Sequence, residues 1–254
     1  MKLNPIFILV LIMFVSCAET REDLVESRVY VWNNLDKAEK DGIATRLITA
    51  GSSPHFADFE IKSLTFQTDS VPRTFQDDYE NLIIIKQGRM LFEADSIKTL
   101  LSSKSVALIM PGQQYAIYSN EPVVYYLLRY KSNKPMDLER GMRSGGTMVF
   151  NRDSLGVKFS SKGGSTKYFD RPTAMCERYE MHTTTLNKFG PSHEGHTHEE
   201  TEIILVISGK TKMIIGEQEY NGETGDLYLM TSGIYHQVSN DSDEPCEYFA
   251  FKWK

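Results

Sequence analysis

The sequence is poor in cysteine, in positive charge and in helical periodicity. Three cysteines stand in 254 residues, too few for a disulfide framework to replace a hydrophobic core. Two of them, Cys176 and Cys246, sit in strand-like runs, and both a disulfide and two buried thiols are open to them. The net charge of −6 argues against nucleic acid, which would want a basic face. No long stretch repeats its apolar residues at helical spacing, which argues against a helical bundle. Against these shortages stand ample apolar and aromatic residues, 41% and 11% of the chain. A sizeable core can form, in one large or two small domains.

The first segment, MKLNPIFILVLIMFVSC, has Lys2, an apolar run from Ile6 to Val15, then Ser16 and Cys17. The run is too short for a spanning helix and reads as a secretory signal peptide. A cysteine directly after a small residue at the end of such a run resembles a lipobox, with Phe14 where leucine is usual. That resemblance implies cleavage before Cys17, a diacylglycerol on its sulfur, and an exported bacterial lipoprotein facing the periplasm or the cell exterior. The alternative is a plain cleaved signal peptide with Cys17 incidental. Ala18 to about Arg28 is polar and charged, a tether in which a short helix over Arg21–Ser27 is marginal at that length.

From about Tyr30 the texture is β. Runs rich in Val, Ile, Tyr, Phe and Thr alternate with turn residues, most clearly Phe59–Gln67, Glu80–Gly88, Val106–Gly112 and Val123–Tyr130. Ser96–Ser103 has the look of a helical turn, but its counterpart later in the chain is strand and turn. That counterpart exists because the chain repeats. EPVVYYLLRYK (Glu121–Lys131) echoes EPCEYFAFKWK (Glu244–Lys254), and IIIKQG, ending at Gly88, echoes ILVISG, ending at Gly209. VALIMPG with Asn120 echoes LYLMTSG with Asn240. One supersecondary unit is used twice. The join, about residues 136–172, is rich in Gly, Ser and charge, and within it TMVF and GVKF read as buried strand.

The chemistry concentrates in GPSHEGHTHEETEIILVISG, Gly190 to Gly209. Residues two apart on a strand share a face, so His196 and His198 aim two imidazoles into one space. Glu202 and Ile204 share that face if the extended run continues. His236 follows in GDLYLMTSGIYHQVSN. Three imidazoles and a carboxylate on one inner wall make a transition-metal site. Three histidines at this spacing are hard to read as satisfied structural residues.

The spacing resembles the cupin superfamily. The first cupin motif, G-x5-H-x-H-x3-E-x6-G, is met by Gly190, His196, His198, Glu202 and Gly209. The second, G-x5-P-x-G-x2-H-x3-N, is met by Gly225, Gly233, His236 and Asn240, with Thr231 at the proline position. The resemblance implies an all-β chain of two tandem cupin barrels of the double-stranded β-helix (jelly-roll) type. It divides the chain into a signal peptide (1–17), a tether and lead-in (18–45), a first cupin without metal ligands (46–135), an inter-domain segment (136–172) and a second, metal-binding cupin (173–254). Superposing Gly88 on Gly209 puts Phe75, Asp77 and Asn81 at the positions of His196, His198 and Glu202. Superposing Asn120 on Asn240 puts Ala116 at that of His236.

The implied ligands of one divalent metal (Mn, Fe, Ni, Co, Cu or Zn) are His196, His198, Glu202 and His236. His182 and Glu202 are the candidate catalytic residues, His182 only if its strand faces inward. His193 sits at the expected mouth. Glu199 and Glu200 read as a polar turn, and Asn240 as a turn closure. Tyr228, Tyr235, Arg178 and Phe251 are candidate pocket residues with core packing as their default. The expected activity is a metal-dependent enzyme on a small oxygen-rich molecule: a sugar acid, oxo acid or enediol. A quercetinase-like dioxygenase and a non-enzymatic lipid-anchored binding protein are the alternatives. A homodimer through edge strands is the family's habit.

Overall fold

The computed structural model describes residues 24–254. The lipobox, Cys17 included, lies outside the described residues. Four antiparallel sheets make two barrels. The first joins a seven-stranded sheet, ordered Met148–Phe150, Val106–Ile109, Glu80–Gln87, Val123–Ser132, Phe56–Phe66, Ile43–Gly51 and Lys37–Lys40, to a four-stranded sheet of Asp69–Phe75, Tyr115–Ser119, Met90–Ala94 and Ile97–Leu101. The second repeats the plan. Its large sheet runs Arg28–Tyr30, Leu227–Met230, Thr201–Ser208, Cys246–Trp253, Tyr179–Leu186, Gly163–Arg171 and Lys158–Ser160. Its small sheet is Gly190–Pro191, His236–Asn240, Thr211–Ile215 and Gln218–Gly222. The expected all-β double barrel is therefore the observed fold.

The central strands show why the barrels stay together. Glu80–Gln87 and Thr201–Ser208 each open with six consecutive buried residues. A strand so patterned is covered on both faces. Ile83 and Ile85 point into the first barrel, and Ile204 and Val206 into the second. Their neighbours Leu82, Ile84, Ile203 and Leu205 join one shared core between the two large sheets, with Phe59, Tyr130, Phe251 and Trp253.

The barrels also exchange strands. Arg28–Tyr30, ahead of every strand of the first barrel, pairs with Leu227–Met230 of the second. Met148–Phe150, ahead of the second barrel's own strands, pairs with Val106–Ile109 of the first. Just past the first exchanged strand, the Trp32 backbone N–H donates to Asp226 Oδ1 at 2.8 Å. The Lys86 ammonium lies 3.4 Å from the centre of the Trp32 ring. Gly225, at φ +101°, makes room for this crossing, since a Cβ there would lie 3.1 Å from the Trp32 ring.

Residues 136–172 hold a short helix, Leu138–Arg143, then the exchanged strand and two strands of the second sheet. In TMVF the strand forms but is only half-buried, and in GVKF only the strand expectation survives. Val157 and Phe159 are exposed, the latter by 81%, because Lys158–Ser160 is the edge of its sheet. Ile97–Leu101 is strand, and no helix forms over the described residues Leu24–Ser27. Cys176 and Cys246 are both buried free thiols.

Candidate metal centre

The strand Thr201–Ser208 carries Glu202, and His236 opens the strand His236–Asn240. Before them the chain reaches His196, whose backbone N–H donates to the His236 carbonyl at 3.1 Å and whose carbonyl accepts from His236 at 3.0 Å. This two-way bridge ties the loop that carries His196 and His198 to the small sheet. At Gly195 a Cβ would lie 2.0 Å from the Tyr235 hydroxyl, so the loop packs under Tyr235 only because that residue is glycine. The three imidazoles converge, with ring centres 4.8 Å apart for His196–His236 and His198–His236 and 5.3 Å for His196–His198. One ligand atom from each lies within 4.8 Å of the others.

The four ring nitrogens of His198 and His236 each have a partner. His198 Nδ1 lies 2.9 Å from the Glu200 carbonyl and His236 Nδ1 lies 2.8 Å from that of Ile234. A carbonyl only accepts, so both Nδ1 atoms carry protons. The two Nε2 atoms face one oxygen, Glu202 Oε2, at 2.9 and 3.0 Å. A neutral ring with its proton on Nδ1 presents a lone pair to that anionic oxygen. Such a meeting is repulsive unless a proton or a cation sits between. A divalent ion held by Nε2 atoms and a carboxylate removes the conflict, and backbone carbonyls on the opposite ring nitrogens are the usual support of a metal-binding histidine. The donor set therefore fits a metal.

Electrostatics follow the same geometry. Burial alone would raise the Glu202 carboxyl, but the hydrogen bonds of His198 and His236 outweigh it and hold the group well below the usual carboxylate range. His198 is raised by its bond to Glu202. His196, with no such bond, is lowered by burial and by the neighbouring imidazoles.

Beside this cluster lies a cavity of about 180 Å³, lined in part by His196, Glu202 and His236. His182, Thr184, Tyr248, Ala250 and Lys252 also line it, with the apolar Ile204, Met213 and Val238. His182 thus faces inward, with Nδ1 3.5 Å from Glu180 Oε1. His193 stands at the mouth, edge-on to His196 at 4.7 Å. Glu199 turns outward to Lys254, whereas Glu200 is largely buried between Arg178 at 3.4 Å and His198 Nδ1 at 3.6 Å. Asn240 closes its turn through Ser242 and Glu244.

Four other candidates stand away from the cavity lining. Tyr228 is buried with its hydroxyl on Thr211, and Phe251 belongs to the shared core. Arg178 is taken by Asp170, Glu180 and Glu200, and Tyr235 covers Gly195. Lys252, Thr184 and Tyr248 escaped the sequence reading. EYFAFKWK reads as an apolar core strand, yet Tyr248, Ala250 and Lys252 share one face by strand periodicity, and that signal was there to find.

The first barrel corrects one assignment. Phe75 pairs with Tyr115 as His196 bridges to His236. Tyr115, not Ala116, therefore stands where His236 does. The strand Tyr115–Ser119 ends one residue before Asn120, so the Asn120–Asn240 match slipped by one. Ser119 takes the part of Asn240, with its hydroxyl on Arg89 and Glu121 carbonyls.

Fold and site together define a double-barrel protein with a histidine cluster in its second barrel, and residues 183–252, within that barrel, match the family model described as a cupin domain. Among solved structures, the chain is similar to AerE from Microcystis aeruginosa (TM-score 0.68, 11% identity, 90% of this chain and 100% of that one). It is also similar to oxalate decarboxylase from Lactobacillus farciminis in a formate complex (0.71, 11%, 91% and 87%). A mutant of Bacillus subtilis oxalate decarboxylase gives 0.68, 12%, 89% and 77%. No curated protein matches the chain by sequence.

Proposed function

We propose that this is a metal-dependent cupin enzyme whose second barrel binds one divalent transition metal through His196, His198, Glu202 and His236. The observation that carries the reading is the pair of rings, His198 and His236, each with an acceptor at both nitrogens. Manganese belongs to the eligible ions, and Bacillus subtilis oxalate decarboxylase, of similar fold, has Mn(II) centres. The metal would supply Lewis acidity to chelated substrate oxygens.

The chain's own residues do the rest. His182 faces the bound molecule and is the group placed to give or take a proton, oriented by Glu180. Ile204, Met213 and Val238 give the cavity an apolar lining. An apolar cavity of about 150 Å³ holds one benzene ring, so this space encloses a molecule of roughly six to ten heavy atoms. A sugar acid or short oxo acid is of that size, whereas a flavonol would leave most of itself outside. That weighs against a quercetinase-like activity.

The test is metal content by mass spectrometry on the protein starting at Ala18, beside the His196→Ala/His198→Ala variant. The expected result is one ion per chain, lost in the variant, together with turnover of at least one member of a panel of short oxo and sugar acids. No metal in either protein after reloading would end this reading. Binding without turnover across the panel would favour a receptor. Export and lipid attachment at Cys17 belong to the same proposal, supported by the apolar run and the Ser16–Cys17 step. Labelled palmitate should enter the full chain and not its Cys17→Ser variant; equal labelling of both would refute the anchor.

A further inference from the structure

We propose that Lys252 anchors an anion in this site: the bound molecule is a short carboxylic acid whose carboxylate reaches the Lys252 ammonium while its other oxygens face the three imidazoles. This rests on the metal-site reading above and adds to it the charge of the ligand and the residue that selects it.

Lys252 stands in register between two carboxylates. It lies opposite Glu202 on one neighbouring strand and opposite Glu180 on the other. Side chains so opposed have Cβ atoms about 5 Å apart, which places the ammonium beside the ligand cluster and on the cavity wall. Among the described residues its one ion pair is with Glu180, at 4.0 Å, the outer limit of such a contact. Glu180 has a better partner, since Arg178 Nη2 holds the same oxygen at 2.7 Å. A half-buried lysine with so loose a contact faces the cavity with most of its charge unspent.

The first barrel shows what a spent charge looks like. Arg129 occupies the same register, opposite Asn81 and Glu60. Its guanidinium binds Asp77 Oδ2 at 2.8 Å, the residue at the position of His198. In the second barrel that place is held by an imidazole, which cannot neutralise a cation. The barrel that keeps the histidines is the one that leaves its cation to the cavity. A carboxylate fits both: it pairs with an ammonium and chelates a metal, and the cavity admits a molecule of its size.

The experiment compares lactate with lactamide, equal in heavy atoms and in the hydroxyl and carbonyl offered to a metal, but different in charge. Binding to manganese-loaded protein is measured by calorimetry for wild type, Lys252→Met, Lys252→Gln and Lys252→Arg, with manganese content determined for each. Wild type should prefer lactate. Lys252→Met and Lys252→Gln should lose about tenfold or more of that preference, the scale of a charge-assisted hydrogen bond, with lactamide affinity and manganese content unchanged. Lys252→Arg should keep most of it. The proposal is overturned by a preference that both neutral variants retain at full manganese occupancy, or by a loaded wild type that binds lactate no better than lactamide; either leaves the metal reading intact. A wild type that takes up no divalent ion removes both.

Discussion

Where the second barrel has His196, His198, Glu202 and His236, the first has Phe75, Asp77, Asn81 and Tyr115. The substitutes keep the contacts and discard the chemistry. Phe75 and Tyr115 stack at 5.3 Å, and Tyr115 stacks on Phe92 at 5.9 Å. The Asn81 amide donates to Asp77 at 3.1 Å, in the place of the His198–Glu202 contact. Leu64, Phe92 and Leu127 replace Thr184, Met213 and Ala250, putting larger apolar side chains at positions that line the cavity in the sister barrel. One scaffold can thus be a packed core or a ligand site, depending on a handful of inward side chains.

The comparison breaks most sharply at His236. His236→Tyr imports the Tyr115 solution, and metal content should fall from about one ion per chain to almost none, because a neutral phenol is a poor substitute in a histidine ligand set. Retention of the ion would show that His236 is not a ligand. Ala250→Leu imports Leu127 instead. It should leave the ion in place, cost about 1–3 kcal/mol in thermal or urea unfolding through overpacking, and weaken lactate binding at least about tenfold if the lost space is the ligand's. Unchanged lactate affinity would place the ligand elsewhere.

The smallest effect concerns acid. In metal-free protein the Glu202 carboxyl lies below its ordinary value, held there by His198 and His236 against the opposing effect of burial. A depressed carboxyl contributes stability above its unfolded value near 4, and that contribution is lost as pH falls further. Melting temperatures of metal-free wild type should therefore drop more steeply below about pH 4 than those of Glu202→Gln. Asn81, at the matching position, has no charge to lose, so the acid sensitivity should belong to the second barrel. Parallel curves for the two proteins would refute this.

Much of this was legible in the chain. The His-x-His spacing and the later histidine point to one wall because strand periodicity is rigid, and the repeat shows through EPVVYYLLRYK and EPCEYFAFKWK. Lys252 was hidden in an aromatic strand whose two faces serve different cores. Tyr115 was hidden by a one-residue slip, since matching asparagines is weaker evidence than matching strand register. The exchanged strands could not be read at all. Three-residue segments have no periodicity to speak of, and their partners lie far away, Arg28 opposite Leu229 and Met148 opposite Leu108.

That distance has a consequence for how the molecule comes into being. Ser27 Oγ meets Thr231 Oγ1 across 204 positions of sequence, so one of the earlier residues to leave the ribosome waits for one of the latest. Closing so long a loop is slow, and the barrel that finishes last is the one with the histidines. Until it closes, the edge of Leu227–Met230 is bare and open to pairing with another chain. Neither half completes its large sheet without a piece of chain from ahead of the other half, so we expect one cooperative unfolding transition from two barrels; two resolved transitions would show that each half holds without the exchange.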